Sequence, residues 1–190
     1  LTQIPNLISL LRLVSAPALA WLVIEHRFAI ALIATLLAGA TDWLDGWAAR
    51  HWGHPTRLGL YLDPLADKAM LVTLFLCCGP AGLIPVWLVS LVLGRDAVIL
   101  VGTLLVRLIK GPRRFLPLVV GKVSTFFQIL SVLMVLIHGI FAFEWLRVLK
   151  DLALAETAFF TGLSGLAYIR KGIGMAQEAA VQTTPGSAVV

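Results

Sequence analysis

Six apolar runs, each about as long as a helix needs to cross a bilayer, leave this chain few ways to fold. They are Leu7 to Ile24, Phe28 to Arg50, Leu58 to Cys78, Ile84 to Leu108, Val119 to Phe141 and Leu152 to Ile169. Short breaks rich in Gly, Pro and charge separate them, such as Glu25-His26-Arg27 and Gly79-Pro80-Ala81-Gly82. In hydrocarbon every backbone polar group needs a partner within its own segment, so runs of this length are helices. Hydrophobic residues make up 59% of the 190, and mean hydropathy is +0.95. A soluble enzyme is excluded on that balance. The expected fold is all-α: a bundle of six transmembrane helices forming one domain over residues 1–172, with a flexible tail at 173–190.

Charge orients the bundle. With six spans both termini lie on one side, together with Arg50, Arg57, Arg107, Lys110, Arg113, Arg114, Lys122, Arg170 and Lys171. The other side holds Arg27, Arg147 and Lys150. The bias places the rich side in the cytosol, or in the matrix of a mitochondrion. The net charge of +5 follows from that rule and from anionic lipid, and no aromatic-interleaved basic patch suggests nucleic acid. Cys77 and Cys78 are adjacent in an apolar run and read as buried thiols. No cleavable signal peptide is expected in Leu10 to Ile24, and a start at Leu1 instead of Met leaves room for residues ahead of it.

Against this background the carboxylates stand out. Asp42, Asp45, Gly46 and Ala49 fall at i, i+3, i+4 and i+7 of one helix, and Asp63 and Asp67 at i and i+4 of the next. Each set shares a helical face. Four carboxylates pointed at one spot in low dielectric repel unless a cation sits among them. Ligation by carboxylate oxygen alone suits Mg²⁺ or Mn²⁺ before zinc. Arg50, one turn beyond Gly46, adds a cation suited to phosphate. A solvated face or a helix cap is the bland alternative, but four such groups are costly to keep in apolar sequence. The pair His51 and His54, in a basic loop without further ligands, reads as surface.

From Asp42 to Asp67 the residues spell D-x2-D-G-x2-A-R-x8-G-x3-D-x3-D. This resembles the signature of the CDP-alcohol phosphatidyltransferases, with no departure at any fixed position. The resemblance implies transfer of a phosphatidyl group from CDP-diacylglycerol to an alcohol with release of CMP. It implies two ions of Mg²⁺ or Mn²⁺ held by Asp42, Asp45, Asp63 and Asp67, and a homodimer. Asp67, at the edge of the cluster, is the candidate general base. Gly46, Ala49, Arg50 and Gly59 are the candidate CDP-binding positions. No Ser, Cys or His is placed for a covalent intermediate, so single displacement is expected.

The acceptor is less legible. Pro5-Asn6 followed by Arg12, and Asp63-Pro-Leu-Ala-Asp67-Lys68, look like the glycerol branch of the family. That branch includes phosphatidylglycerophosphate synthases and the CDP-alcohol type of cardiolipin synthase. Arg95-Asp96 stands where the former generally carry Arg-Glu, and with Gly121-Lys122 it looks more like the latter, whose acceptor is phosphatidylglycerol. Asn6, Arg12, Arg95, Arg107 and Lys122 are the acceptor or phosphate candidates. Lys122, Thr125 and Gln128 are expected on one face lining a common cavity, and Lys68 is expected to snorkel or to pair with a carboxylate rather than to bind substrate. Glycerol-3-phosphate remains the alternative acceptor. A cation-coupled transporter is the alternative of another class, since such proteins also carry intramembrane carboxylates. The site is expected about 10 Å in from Arg50, open to the cytosolic or matrix face of a bacterial or mitochondrial inner membrane.

Overall fold

A computed structural model describes the backbone of residues 4–52, 59–110 and 118–183 and the side chains of residues 13–41, 68–104 and 118–174. All described elements are helical: α1 Ile4–Ile24, α2 Phe28–Trp52, α3 Gly59–Cys78, α4 Val86–Lys110, α5 Val119–Ile140 and α6 Glu144–Thr183. Five of the six expected helices fall within three residues of their expected limits. The sixth does not. The stretch between the fifth run, which ends at Phe141, and the sixth, which begins at Leu152, is helix from Glu144, and the helix continues past Ile169 to Thr183. Glu144 sits in its first turn, where a carboxylate complements the exposed amide groups, and the Arg147 amide closes onto the Phe143 carbonyl at 3.1 Å. Residues 184–190, the rest of the expected tail, lie outside the described set.

Three described stretches are long and apolar enough to cross a membrane: Val86–Leu104, Val119–Ile140 and Glu144–Gly174. The surface shows the same character as their composition. Leu37, Ile33, Trp87, Leu100, Phe126, Phe159 and Leu166 are exposed, whereas Ser124, Gln128, Ser131, Thr157, Thr161 and Ser164 are fully buried. Apolar side chains outside and polar ones inside suit hydrocarbon as the surrounding solvent. This is a membrane protein.

The helices form two sheaves. In the first, α1 packs against both α2 and α3; in the second, α6 packs against both α4 and α5. Ala16, Leu19 and Val23 of α1 are buried at helical spacing, and Leu19 and Val23 share one core with Leu71, Leu74, Phe75 and Cys78 of α3. The α1–α2 turn is closed by His26 in the left-handed region (φ 54) and by the Arg27 amide bonding the Leu22 carbonyl at 2.8 Å. Between the sheaves α5 touches α2 and α3, and α3 touches α4. Where α5 meets α2, Gly139 lies so close to Phe28 that a Cβ there would sit 2.6 Å from its ring.

The α5–α6 pair has a seam of a different kind. Gly121, Ser124, Gln128, Ser131 and Val135 alternate three- and four-residue steps, as do Leu154, Thr157, Thr161, Ser164 and Tyr168. This is a knobs-into-holes pattern built largely of small and polar side chains. The Ser124 and Thr161 hydroxyls are 3.1 Å apart, and Thr157 donates to the Phe127 carbonyl at 2.8 Å. Of the small residues of α6, Ala153, Ala158 and Gly165 face the bundle. Gly162 faces open space and Ala155 is exposed.

Candidate active site

The two helices that carry the Asp motif both border one cavity. An apolar space of ≈ 490 Å³ is bounded by Thr35 to Ala40 of α2, Lys68 to Leu74 of α3, and Thr125 to Leu133 of α5. Ala40 is two residues before Asp42, and Lys68 directly follows Asp67. The backbone therefore carries Asp42, Asp45, Gly46, Ala49 and Arg50 on α2, and Gly59, Asp63 and Asp67 on α3, away from the two sides of the same opening. The side chains of these eight residues lie outside the described set, as do those of Asn6 and Arg12 on α1, Arg107 on α4 and His51 on α2; His54 lies outside it altogether. Gly59 is the first residue of α3. By residue type alone, aspartates are the oxygen donors that a hard divalent ion takes.

Beside it lies a second, more open cleft of ≈ 750 Å³, lined by Lys68, α4 from Arg95 to Thr103, α5 from Leu118 to Thr125, and Tyr168. Lys68 and Thr125 line both spaces and form the neck between them. Lys68 pairs with Asp96 (Nζ to Oδ2, 2.5 Å), as expected of a lysine beside intramembrane carboxylates. Asp96 also accepts from Arg95 Nη1 at 2.9 Å. Arg95 is buried and fully engaged: its Nε donates to Ser164 Oγ at 3.0 Å and its Nη2 to the Gly121 carbonyl at 3.1 Å. The guanidinium carbon is 5.8 Å from the centre of the Tyr168 ring, and the Tyr168 hydroxyl accepts the Leu118 amide at 3.1 Å. One side chain thus ties α4 to α5 and α6. Gly121 is required there, because a Cβ would sit 2.9 Å from the Tyr168 hydroxyl and 3.1 Å from Arg95 Nη2.

Lys122 is exposed on the cleft and makes no ion pair among the described residues. The expected common face of Lys122, Thr125 and Gln128 holds only in part. Lys122 and Thr125 line the cleft, but Gln128 is fully buried, with its amide nitrogen 3.3 Å from Thr161 Oγ1 and 3.4 Å from Ser124 Oγ. Six residues of helix turn the side chain about 120° away from Lys122, out of the cleft and into the seam. Ser164 and Tyr168, which seat Arg95, are absent from the sequence expectations. Their signal was polar residues at three- and four-residue steps through an otherwise apolar helix.

The CDP-alcohol phosphatidyltransferase family matches residues 2–163. Cardiolipin synthase (CMP-forming) of Homo sapiens is 35% identical over 188 residues, covering 89% of this chain and 61% of the relative. CDP-diacylglycerol--glycerol-3-phosphate 3-phosphatidyltransferase of Aquifex aeolicus is 34% identical over 176 residues, covering 91% of this chain and 97% of the relative. The chloroplastic enzyme of that name from Oryza sativa is 30% identical over 187 residues, covering 87% and 57%. The chain thus spans about three fifths of the length of its human relative. The relatives' names divide between two acceptors. On the match across most of its length, the chain belongs to the CDP-alcohol phosphatidyltransferase family.

Proposed function

We propose that this chain transfers the phosphatidyl group of CDP-diacylglycerol to the hydroxyl of phosphatidylglycerol, releasing CMP and forming cardiolipin. The supporting observation is the shared cavity: the two carboxylate-bearing segments adjoin, in sequence, the α2 and α3 residues that line one apolar space. A soluble nucleotide can meet the carboxylates while lipid tails occupy hydrocarbon below. All six helices span the membrane in this reading, two of these chains form a homodimer, and the loops at 53–58 and 111–117 face the cytosol or matrix. Exposed Trp21, Trp87, Phe141, Phe143 and Trp145 lie at the opposite helix ends and fit an aromatic belt at the other interface.

The family works with divalent metal. Asp42, Asp45, Asp63 and Asp67 would hold one or two ions of Mg²⁺ or Mn²⁺, which neutralise charge on the pyrophosphate. Gly46 and Ala49 leave space for the cytidine, Gly59 permits the turn that brings the second carboxylate pair back, and Arg50 offsets phosphate charge. Asp67 takes the proton from the acceptor hydroxyl. The hydroxyl oxygen bonds to the phosphorus bearing diacylglycerol, and the bond from that phosphorus to the CMP oxygen breaks. Asn6, Arg12, Arg107 and Lys122 are candidates to seat the acceptor, and Arg95 holds the helices that present it.

A second reading has support in the near full-length match to the Aquifex aeolicus relative: the acceptor is glycerol-3-phosphate. Family membership leaves the transporter alternative without support. The deciding experiment follows CMP release from CDP-diacylglycerol by the purified protein with Mg²⁺ or Mn²⁺, with each acceptor supplied alone and Asp67→Asn as control. Release with phosphatidylglycerol alone is the expected result. Release with glycerol-3-phosphate alone overturns the acceptor and keeps the chemistry; no release with either, from folded protein, overturns both.

A further inference from the structure

We infer that the outer face of α6 around Glu156 is a docking surface for a transmembrane helix of another protein, one that carries a lysine or arginine at matching depth. Spacing defines the face. Leu149, Leu152, Glu156, Phe159, Leu163 and Leu166 follow steps of three and four residues, and every one of them is exposed. At about 100° per residue this stripe lies roughly 150° round α6 from the seam buried against α5. A stripe with heptad steps fits a second helix at a shallow crossing angle, and a lone polar member sets the register of the pair.

Glu156 breaks the apolar run of that stripe. One residue on, Thr157 donates to the Phe127 carbonyl of α5 at 2.8 Å. Phe127 is eight residues from one end of the Val119–Ile140 stretch and thirteen from the other, about 12 Å and about 20 Å at the usual helical rise. Where α5 and α6 cross a bilayer, the Glu156 carboxyl thus lies well inside the apolar layer, on a face the bundle leaves open. The residues one turn away along α6 are Leu152, Ala153, Phe159 and Phe160, and none of them can pair with it. Glu144 meets Arg147 at 3.9 Å and Asp151 meets Lys150 at 3.3 Å, whereas Glu156 forms no ion pair among the described residues. Acidic side chains within spans are costly in hydrocarbon and are kept where a partner or a cavity receives them.

Charge selects the occupant. A second copy of this chain, related by a two-fold axis normal to the membrane, brings its own Glu156 to the same depth. Two carboxylates meeting there repel. The described cations of α6 lie elsewhere along the helix: Lys150 and Arg147 are about 9 Å and about 13 Å toward its start, and Arg170 is about 21 Å the other way. A neighbouring span with a lysine or arginine near mid-depth satisfies Glu156 and packs its apolar side chains between Leu152, Phe159 and Leu163. The inference does not depend on which acceptor the active site takes.

The test uses a labelled transmembrane peptide of leucine and alanine with one lysine at its centre, mixed with the labelled full chain in liposomes and read by energy transfer. It is expected to associate about tenfold more tightly than the same peptide with leucine in place of the lysine. Glu156→Leu is expected to erase that difference, and Glu156→Gln, which keeps the shape and loses the charge, to reduce it. Equal association of the two peptides with the parent chain, or a preference that survives both substitutions, overturns the docking surface. Transfer between two differently labelled copies of the chain should be the same in the parent and in Glu156→Gln. A fall in the variant would put a second copy on this face and overturn the assigned occupant. CMP release by either variant should match that of the parent, because the face lies outside the active site; lost release from a folded variant would tie Glu156 to the chemistry and overturn the inference.

Discussion

Arg95 on α4 donates to the Gly121 carbonyl on α5 at 3.1 Å, across two helices whose backbones otherwise stay apart among the described residues. The same guanidinium holds Asp96 and Ser164, so a single side chain sets the spacing of three helices beside the cleft. A charge so deep in an apolar bundle is stable only while each of its donors is satisfied.

Arg95→Met is therefore expected to lower the melting temperature in detergent, with a loss of about 3–5 kcal/mol because Asp96 keeps its burial and loses a partner. Arg95→Lys keeps the charge but not the fork that reaches three acceptors, and should recover little of the loss. Melting of the purified variants by size-exclusion fluorescence checks both.

Gly121→Ala places a methyl 2.9 Å from the Tyr168 hydroxyl and 3.1 Å from Arg95 Nη2, so the clamp must shift. A cost of about 1–3 kcal/mol is expected from overpacking of this kind. Gly162→Ala on α6 meets nothing within 4 Å and should leave stability unchanged or slightly raised through helix propensity. The contrast between the two glycines, read as melting temperatures, isolates packing from helix propensity.

Thr157→Val removes the bond to the Phe127 carbonyl and should destabilise by about 0.6 kcal/mol, the usual size of such bonds between membrane helices. Gln128→Leu removes only long contacts, at 3.3 Å and 3.4 Å, from a side chain whose Oε1 is buried without a hydrogen-bond partner among the described residues. It is expected to be neutral or stabilising. Unfolding titrations in mixed micelles with rising SDS measure both.

Chelation should abolish CMP release, and Mg²⁺ or Mn²⁺ should restore it while Ca²⁺, larger and less demanding in geometry, restores less. Asp67→Asn and Asp42→Asn should each lower the rate by at least about 100-fold, in line with the loss of a general base or a metal ligand. A melting temperature equal to that of the parent chain would show that the loss is chemical.

The helices, their order and the Asp motif were legible because each is local. A run of some twenty apolar residues must be helical in hydrocarbon, and a motif at steps of three and four residues must share a face. The resemblance to the family was carried by the same local spacing, and the match over residues 2–163 then showed membership. The length of α6 was not legible, because the charged stretch Glu144 to Asp151 lacks apolar periodicity and its helix is secured by capping and by continuity with the span. Nor could spacing decide between the roles open to Arg95. An Arg-Asp dipeptide in an apolar run is equally consistent with a phosphate site and a structural pair. The choice depends on which groups other helices bring to it, and these are Ser164 sixty-nine residues away and the Gly121 carbonyl twenty-six away. The same holds for Gln128, which a face-by-face reading assigns to the cavity and which the approach of α6 buries in a seam. Local spacing determined which residues share a helix face; only the packing of one helix on another decided which faces meet polar groups, which are left exposed, and which enclose the apolar space between α2, α3 and α5.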